Sequence, residues 1–281
     1  MLHGRACSGT FDHKQIMIRL SVNLNKIALL RNARGGTLPD VGTAARTCIL
    51  AGCHGITVHP RPDARHITFQ DVHDLAATLH EVHDLAPTRT VEFNIEGYPS
   101  AKFLELVLKV KPTQATLVPD APDVLTSNAG WNLATGVDWL RDVLARLSEA
   151  GIRTSLFMEP DPEQIRRAQQ MGADRIELYT GPYAAAFGTP GGNKILGAHR
   201  EAAHLAREIG LGVNAGHDLD LVNIPAYARA VKGLQEVSIG HALVSDALYM
   251  GLARAVKAYL KALGSEPLDA KRKLAKPRLL N

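Results

Sequence analysis

Apolar and polar positions along the chain fall into one recurring unit. An amphipathic stretch with helical spacing stops at a glycine, and a β-branched, strand-like run begins, as in LAGCHGITVH, SEAGIRTSLF, QMGADRIELY and EIGLGVNAG. Each join reads as a helix C-terminal glycine followed by a strand, the αβ step of an alternating fold. Strand patterns occur at 18–23, 55–59, 91–96, 115–119, 153–159, 175–180, 212–216 and 237–241, eight in all. Helical patterns fill the intervals, with start signals at Thr68 and Asp71, at Pro99, and at Asp161-Pro162-Glu163. A final helix is predicted over 243–263. Eight strands alternating with helices over about 250 residues is the count of a TIM (β/α)8 barrel. A doubly wound open sheet is the alternative, but the first strand lacks a G-x-G-x-x-G turn and no second composition block is present.

The 281-residue length and 46% hydrophobic content fit one large α/β domain rather than several small ones. The expected division is an N-terminal extension over 1–16, a barrel over 17–264 and a basic tail over 265–281. No run approaches the roughly 18 apolar residues of a membrane span, and MLHGRACSGTFDHKQ lacks the apolar centre of a secretory signal, so a cytoplasmic protein is expected. The formal charge of +4 comes from the two ends, with +3 in the last sixteen residues and +1 in the first sixteen, leaving the body neutral. That distribution disfavours a nucleic-acid surface and reads as a solvated tail. Cys7, Cys48 and Cys53 show neither C-x-x-C pairing nor zinc-like spacing, and read as reduced thiols.

In a TIM barrel the chemistry gathers at the carboxyl ends of the strands. Here those ends carry Asn23 with Asn25 and Lys26, His59 with Arg61, Asn94 with Glu96, Asp120, Glu159, Glu177 with Thr180, Asn214 with His217, and Gly240 with His241. A polar residue where a strand meets water needs no explanation by itself. Glu96 in FNIEG and Glu177 in RIELY are sharper, because a carboxylate among apolar neighbours can have its pKa moved towards neutrality and act as an acid or base. NAGH at 214–217 and IGH at 239–241 set glycine before histidine after strands seven and eight, where this fold habitually binds phosphate. Arg31, Arg34, Arg61, Arg65, His66 and Lys26 add cations suited to a second anionic group, although pairing with Asp40 or Asp71 would explain any one of the arginines. His73, His80 and His83 lie on a predicted solvated helix face, and with no H-E-x-x-H or compact His/Asp cluster no metal is expected.

VNLNKIALLRNARG, GITVHPRPDARHIT, EFNIEGYP, LVPDAPDVLTS, IELYTG, VNAGHDL and IGHAL, in this order, resemble the pyridoxine 5'-phosphate synthase family of deoxyxylulose-dependent vitamin B6 synthesis. The resemblance runs from about residue 18 to 262. It implies a TIM barrel that assembles into octamers built from dimers and uses no metal or organic cofactor. The implied reaction joins two phosphorylated small molecules, 3-amino-2-oxopropyl phosphate and 1-deoxy-D-xylulose 5-phosphate, releasing phosphate and water. By motif, His59 and Glu96 match proton acceptors, His217 a proton donor and Glu177 a transition-state stabiliser. Asn23, Asp218, Gly240 and His241 match contacts to the aminoketone phosphate; Asn25, Lys26, Arg61, His66 and Thr126 match contacts to the deoxyxylulose phosphate. Arg34 matches a contact donated across a subunit boundary.

Three departures stand out. Asn25-Lys26 replaces the family's usual Asp-His, Tyr179 replaces a histidine, and Asp218 replaces a glycine beside the expected phosphate position. Lysine supplies a cation but no neutral-pH proton shuttle. A rival reading is a phosphosugar aldolase or isomerase, disfavoured because only Lys26 could serve as a Schiff-base lysine at a strand end. The other is a non-catalytic barrel that binds phosphorylated metabolites.

Overall fold

The computed structural model describes residues 17–85, 90–119 and 129–265. Eight parallel strands close into a barrel in sequence order: β1 Arg19–Asn23, β2 Gly55–Val58, β3 Glu92–Gly97, β4 Gln114–Leu117, β5 Arg153–Met158, β6 Arg175–Tyr179, β7 Gly212–Gly216 and β8 Leu234–Ile239. The expected TIM (β/α)8 architecture is therefore present. Its helices are α1 Asn25–Asn32, α2 Val41–Ala51, α3 Phe69–Leu85, α4 Ala101–Val110, α5 Trp139–Glu149, α6 Pro162–Met171, α7 Gly181–Ala185, α8 Pro190–Glu208, α9 Ile224–Ala230, α10 His241–Met250 and α11 Leu252–Leu263.

Side-chain alternation along each strand explains why these runs are strands. Leu20, Val22, Ile56, Val58, Ile95, Leu117, Leu156, Ile176, Val213 and Val237 point outward and form one buried apolar cluster with the helices. The alternate positions point into the barrel, and apart from Phe157 and a few glycines they are polar rather than the bulky aliphatics usual in this fold. Contacts between strands that are not neighbours establish this. Asn214 on β7 donates to Gln114 on β4 at 3.4 Å, Arg153 on β5 and Arg19 on β1 both pair with Glu92 on β3, and Ser238 on β8 reaches Glu96 on β3 at 3.5 Å. Above this charged floor Thr57 bonds Ser21 at 2.7 Å, and Asn94 joins Thr57 and Thr116 at 3.3 and 3.0 Å. A buried polar face of this kind is tolerable because most of its members satisfy one another, Ser155 Oγ and Glu177 Oε2 being exceptions.

Local signals hold with adjustments. Thr68 and Asp71 cap α3 reciprocally, Thr68 N–H donating to Asp71 at 2.7 Å and Asp71 N–H to Thr68 Oγ1 at 3.1 Å. The Asp161 carboxylate accepts from the N–H groups of Glu163 and Gln164 at the start of α6. Pro99 precedes the cap of α4 instead of opening its first turn, because Ser100 accepts from Phe103 N–H. The single helix predicted over 243–263 is two, broken at Gly251 where φ is 82°. The eighth strand starts earlier than expected and ends at Ile239, so His241 is the first residue of α10. Cys48 and Cys53 are buried, and burial pushes both thiols up, Cys48 to about 12. Cys7, Asp120, Thr126, the N-terminal extension over 1–16 and all of the expected tail but Ser265 lie outside the described residues.

Glu92 anchors the floor by accepting from two arginines, and removing it leaves the half-buried Arg153 bonded to Gln114 but without its carboxylate partner. Glu92→Ala is expected to lower stability by about 3 kcal/mol in urea unfolding, the low end for a broken buried pair because Arg19 remains partly in water. A loss below about 0.5 kcal/mol would contradict the floor's role.

Candidate active site

At the carboxyl end of the barrel a cavity of about 550 Å³ opens between the strand-following loops. Twelve of the fourteen sequence-predicted positions line it: Asn23, Asn25, Lys26, His59, Arg61, His66, Glu96, Glu177, His217, Asp218, Gly240 and His241. Arg34 lies exposed in the turn after α1 and is not brought into the cavity, and Thr126 falls outside the described residues. Phe157, Thr116 and Ser238 also line it; the signal that could have found them is their inward register on β5, β4 and β8. Arg65, one of the candidate cations, borders the cavity while pairing with Asp63 at 2.6 Å.

Glu96 is the centre of the arrangement. Its Oε2 accepts from Asn23 at 3.3 Å and lies 3.9 Å from His59 Nδ1, while Oε1 accepts from Ser238 at 3.5 Å. Burial raises its carboxyl to about 7, opposed by the charge of His217 and the Ser238 hydrogen bond. Glu177 is raised further, first by burial and then by the charges of Glu96 and Glu236, and its Oε2 has no hydrogen-bond partner among the described residues. Both influences favour the protonated form, which can donate a hydrogen bond. His59 is driven well below its usual range by burial and by Arg61, His66 and Arg65, so its imidazole is neutral and able to accept a proton. His66 is lowered to about 4 by burial, Arg61 and Lys26.

The loops are fixed from below. Arg31 makes a two-pronged bond to Asp71 at 2.5 and 2.9 Å and donates to His66 O at 3.3 Å, with Asn32 donating to the same carbonyl at 2.8 Å. The pairing alternative therefore holds for Arg31, which braces the loop carrying Arg61 and His66. Asn25 keeps an acceptor oxygen where the resemblance expects a carboxylate, and takes the His59 N–H at 2.9 Å. Gly216 is required by close packing, since a Cβ there would run into the Glu177 carboxyl. Gly240 sits against Asn23, with a Cβ position 3.1 Å from that side chain, and opens α10. The free N–H groups of that helix end, with His241 and Lys26 nearby, suit an anion. Among the described residues no group of three or more His, Cys, Asp or Glu could hold a metal ion.

The family model for pyridoxal phosphate biosynthesis protein PdxJ matches residues 20–265. The chain belongs to the PdxJ family. It is 52% identical over 249 residues to a pyridoxine 5'-phosphate synthase of Phocaeicola vulgatus, covering 89% of this chain and all of the relative. It is 49% identical over 247 residues to the synthase of Christiangramia forsetii, covering 88% of this chain and all of that one. Solved structures are similar in fold alone: the YdjI aldolase from Escherichia coli K12 superposes with a TM-score of 0.57 at 12% identity, over 89% of this chain and 92% of that one. KGPDC from Streptococcus mutans gives 0.57 at 10% identity, over 88% and 98%. The matched region includes every cavity residue named above and all eight strands except Arg19, the first residue of β1.

Glu96 links protonation to stability. Its carboxyl, ordinarily near 4.5, keeps its proton to about 7 in the folded chain, so its contribution is full below pH 4.5 and is lost as pH rises through 7. At about 1.4 kcal/mol per pH unit the change is a few kcal/mol. Glu96→Gln is expected to gain on the native protein in denaturation midpoint between pH 5 and 8 and to exceed it at pH 8. Parallel pH profiles would contradict the assignment.

Proposed function

We propose that this chain is a pyridoxine 5'-phosphate synthase that condenses 3-amino-2-oxopropyl phosphate with 1-deoxy-D-xylulose 5-phosphate, releasing inorganic phosphate and water. The observation that carries this reading is the pairing of a neutral His59 with a Glu96 carboxyl poised at about 7, 3.9 Å apart, in a cavity flanked by cations. The reaction requires Schiff-base formation, removal of a carbon-bound proton, loss of phosphate, hydration and dehydrating ring closure. Several proton transfers must therefore occur in one pocket, and groups that change charge near neutrality are suited to them.

In this reading His59 and Glu96 accept protons, His217 donates one, and the protonated Glu177 stabilises charge in a transition state. Asn23, the Asp218 N–H, Gly240 and His241 hold the aminoketone phosphate at the start of α10. Lys26, Arg61, His66, Asn25 and Thr126 hold the deoxyxylulose phosphate. Arg34, exposed outside this cavity, reaches the site of a neighbouring subunit in a homo-octamer built from dimers. Leu248 and Tyr249 on α10, 70% and 93% exposed, and Leu30 on α1, 51% exposed, support self-association through this side. The reading includes a single barrel domain over 17–264 between an N-terminal extension and a basic C-terminal tail. It also includes a cytoplasmic setting without nucleic-acid or membrane partners; no described helix is long and apolar enough to cross a membrane.

Incubation with both phosphorylated substrates is expected to yield pyridoxine 5'-phosphate, detected by mass. Binding without product would favour the non-catalytic barrel. His59→Ala, Glu96→Ala and His217→Ala are each expected to lower turnover about a hundredfold or more. Near-native rates in all three would reject the acid–base assignment.

A further inference from the structure

The turn after β7 has an unusual backbone. His217 and Asp218 occupy the left-handed region in succession, with φ of 77° and 46°. Neither is glycine, and such positions persist only where surroundings hold them. Here they are held from two sides. The Thr180 hydroxyl, fully buried, donates to Gly216 O at 2.7 Å and also lies against His217 O. Asn223, 2% exposed, donates through Nδ2 to Asp218 O at 3.3 Å and accepts from Asp220 N–H at 2.9 Å, while its own carbonyl takes the Tyr183 hydroxyl at 3.0 Å.

This geometry turns the Asp218 carboxylate back onto its neighbour. Oδ2 lies 2.8 Å from His217 Nδ1, and the bond to His217 is the largest influence holding the Asp218 carboxyl below its usual range, with His241 and Lys26 adding to it. Tyr179 packs edge-on against the imidazole, with centroids 5.1 Å apart and planes at 88°. A carboxylate on Nδ1 fixes the ring's tautomer and orientation, so any proton passed to substrate leaves from Nε2.

We propose that Asp218 is a positioning residue, engaging His217 Nδ1 so that the imidazolium gives up its proton from Nε2 and is left as the neutral ring protonated on Nδ1. The proposal rests on the reading of His217 as the proton donor. It also explains how an acidic side chain can stand beside a phosphate position: its charge is directed to the imidazole, and only its N–H is left to the anion. Thr180 and Asn223 support the same arrangement through the backbone.

Asp218→Gly and Asp218→Asn test it, since both residue types tolerate a positive φ and preserve the turn. Nitrogen-15 NMR of the full-length protein reads the His217 tautomer without any substrate. The native protein is expected to show the neutral ring protonated on Nδ1. Asp218→Asn, which keeps an acceptor oxygen, should retain that form, and Asp218→Gly should lose it. In turnover, kcat is expected to fall about tenfold or more in Asp218→Gly and less in Asp218→Asn, with KM for the aminoketone phosphate nearly unchanged. An unchanged tautomer in Asp218→Gly, or a lower KM with unaltered kcat, would overturn the proposal in favour of a carboxylate facing the phosphate. Absence of turnover in the native protein would instead reject the synthase reading, and the tautomer would still decide the placement of Asp218.

Discussion

Burial of the Glu96 and Glu177 carboxyls inside a closed parallel barrel is the constraint from which the site's behaviour follows. A carboxylate withdrawn from water is costly unless it is paired, so both groups retain protons well above the usual range. The two differ in their neighbours. Glu96 has Asn23, Ser238 and the charge of His217 to favour ionisation, whereas Glu177 faces Glu96 and Glu236 and has an oxygen with no described partner. One carboxyl can therefore change charge near neutrality, while the surroundings of the other favour its protonated form.

The barrel can carry such groups because its inward face is polar apart from Phe157 and a few glycines. The charged floor of Arg19, Glu92, Arg153, Arg175 and Glu236 and the hydroxyl and amide layer above it make cross-strand bonds where most barrels of this kind pack aliphatic side chains. The apolar contribution to folding comes from the outward face, sealed under the helices. Division of labour between the two faces of each strand frees the interior for chemistry. It also explains Gly216, where a methyl group would run into the Glu177 carboxyl, while Gly240 leaves room beside Asn23 where a methyl group would be a tight fit.

The strand count and the barrel were legible because the glycine joins and the switch from helical to alternating periodicity are local features. Most site residues were legible for a related reason: a strand end in this fold has one address, the open rim. Less legible were the features that depend on register or on distant partners. Arg153, Arg175 and Glu236 sit at strand starts or mid-strand, and only closure of the barrel brings them to one floor. Ser238 gains meaning through a bond to β3 on another side of the barrel. The break at Gly251 was hidden because apolar spacing continues across it in both helices. Arg31 could be assigned to Asp71 only after the α1 and α3 elements were placed together. The side-chain direction of Asp218 depends on a backbone conformation that residue spacing does not reveal.

The account stands most directly on the protonation of Glu96 in the folded protein. Carbon-13 NMR of the side-chain carboxyl, assigned by comparison with Glu96→Gln, measures it without reliance on turnover. The account predicts a titration midpoint near 7, set first by burial. A midpoint within the ordinary glutamate range, near 4.5, would show that the carboxyl remains solvated and would contradict the account.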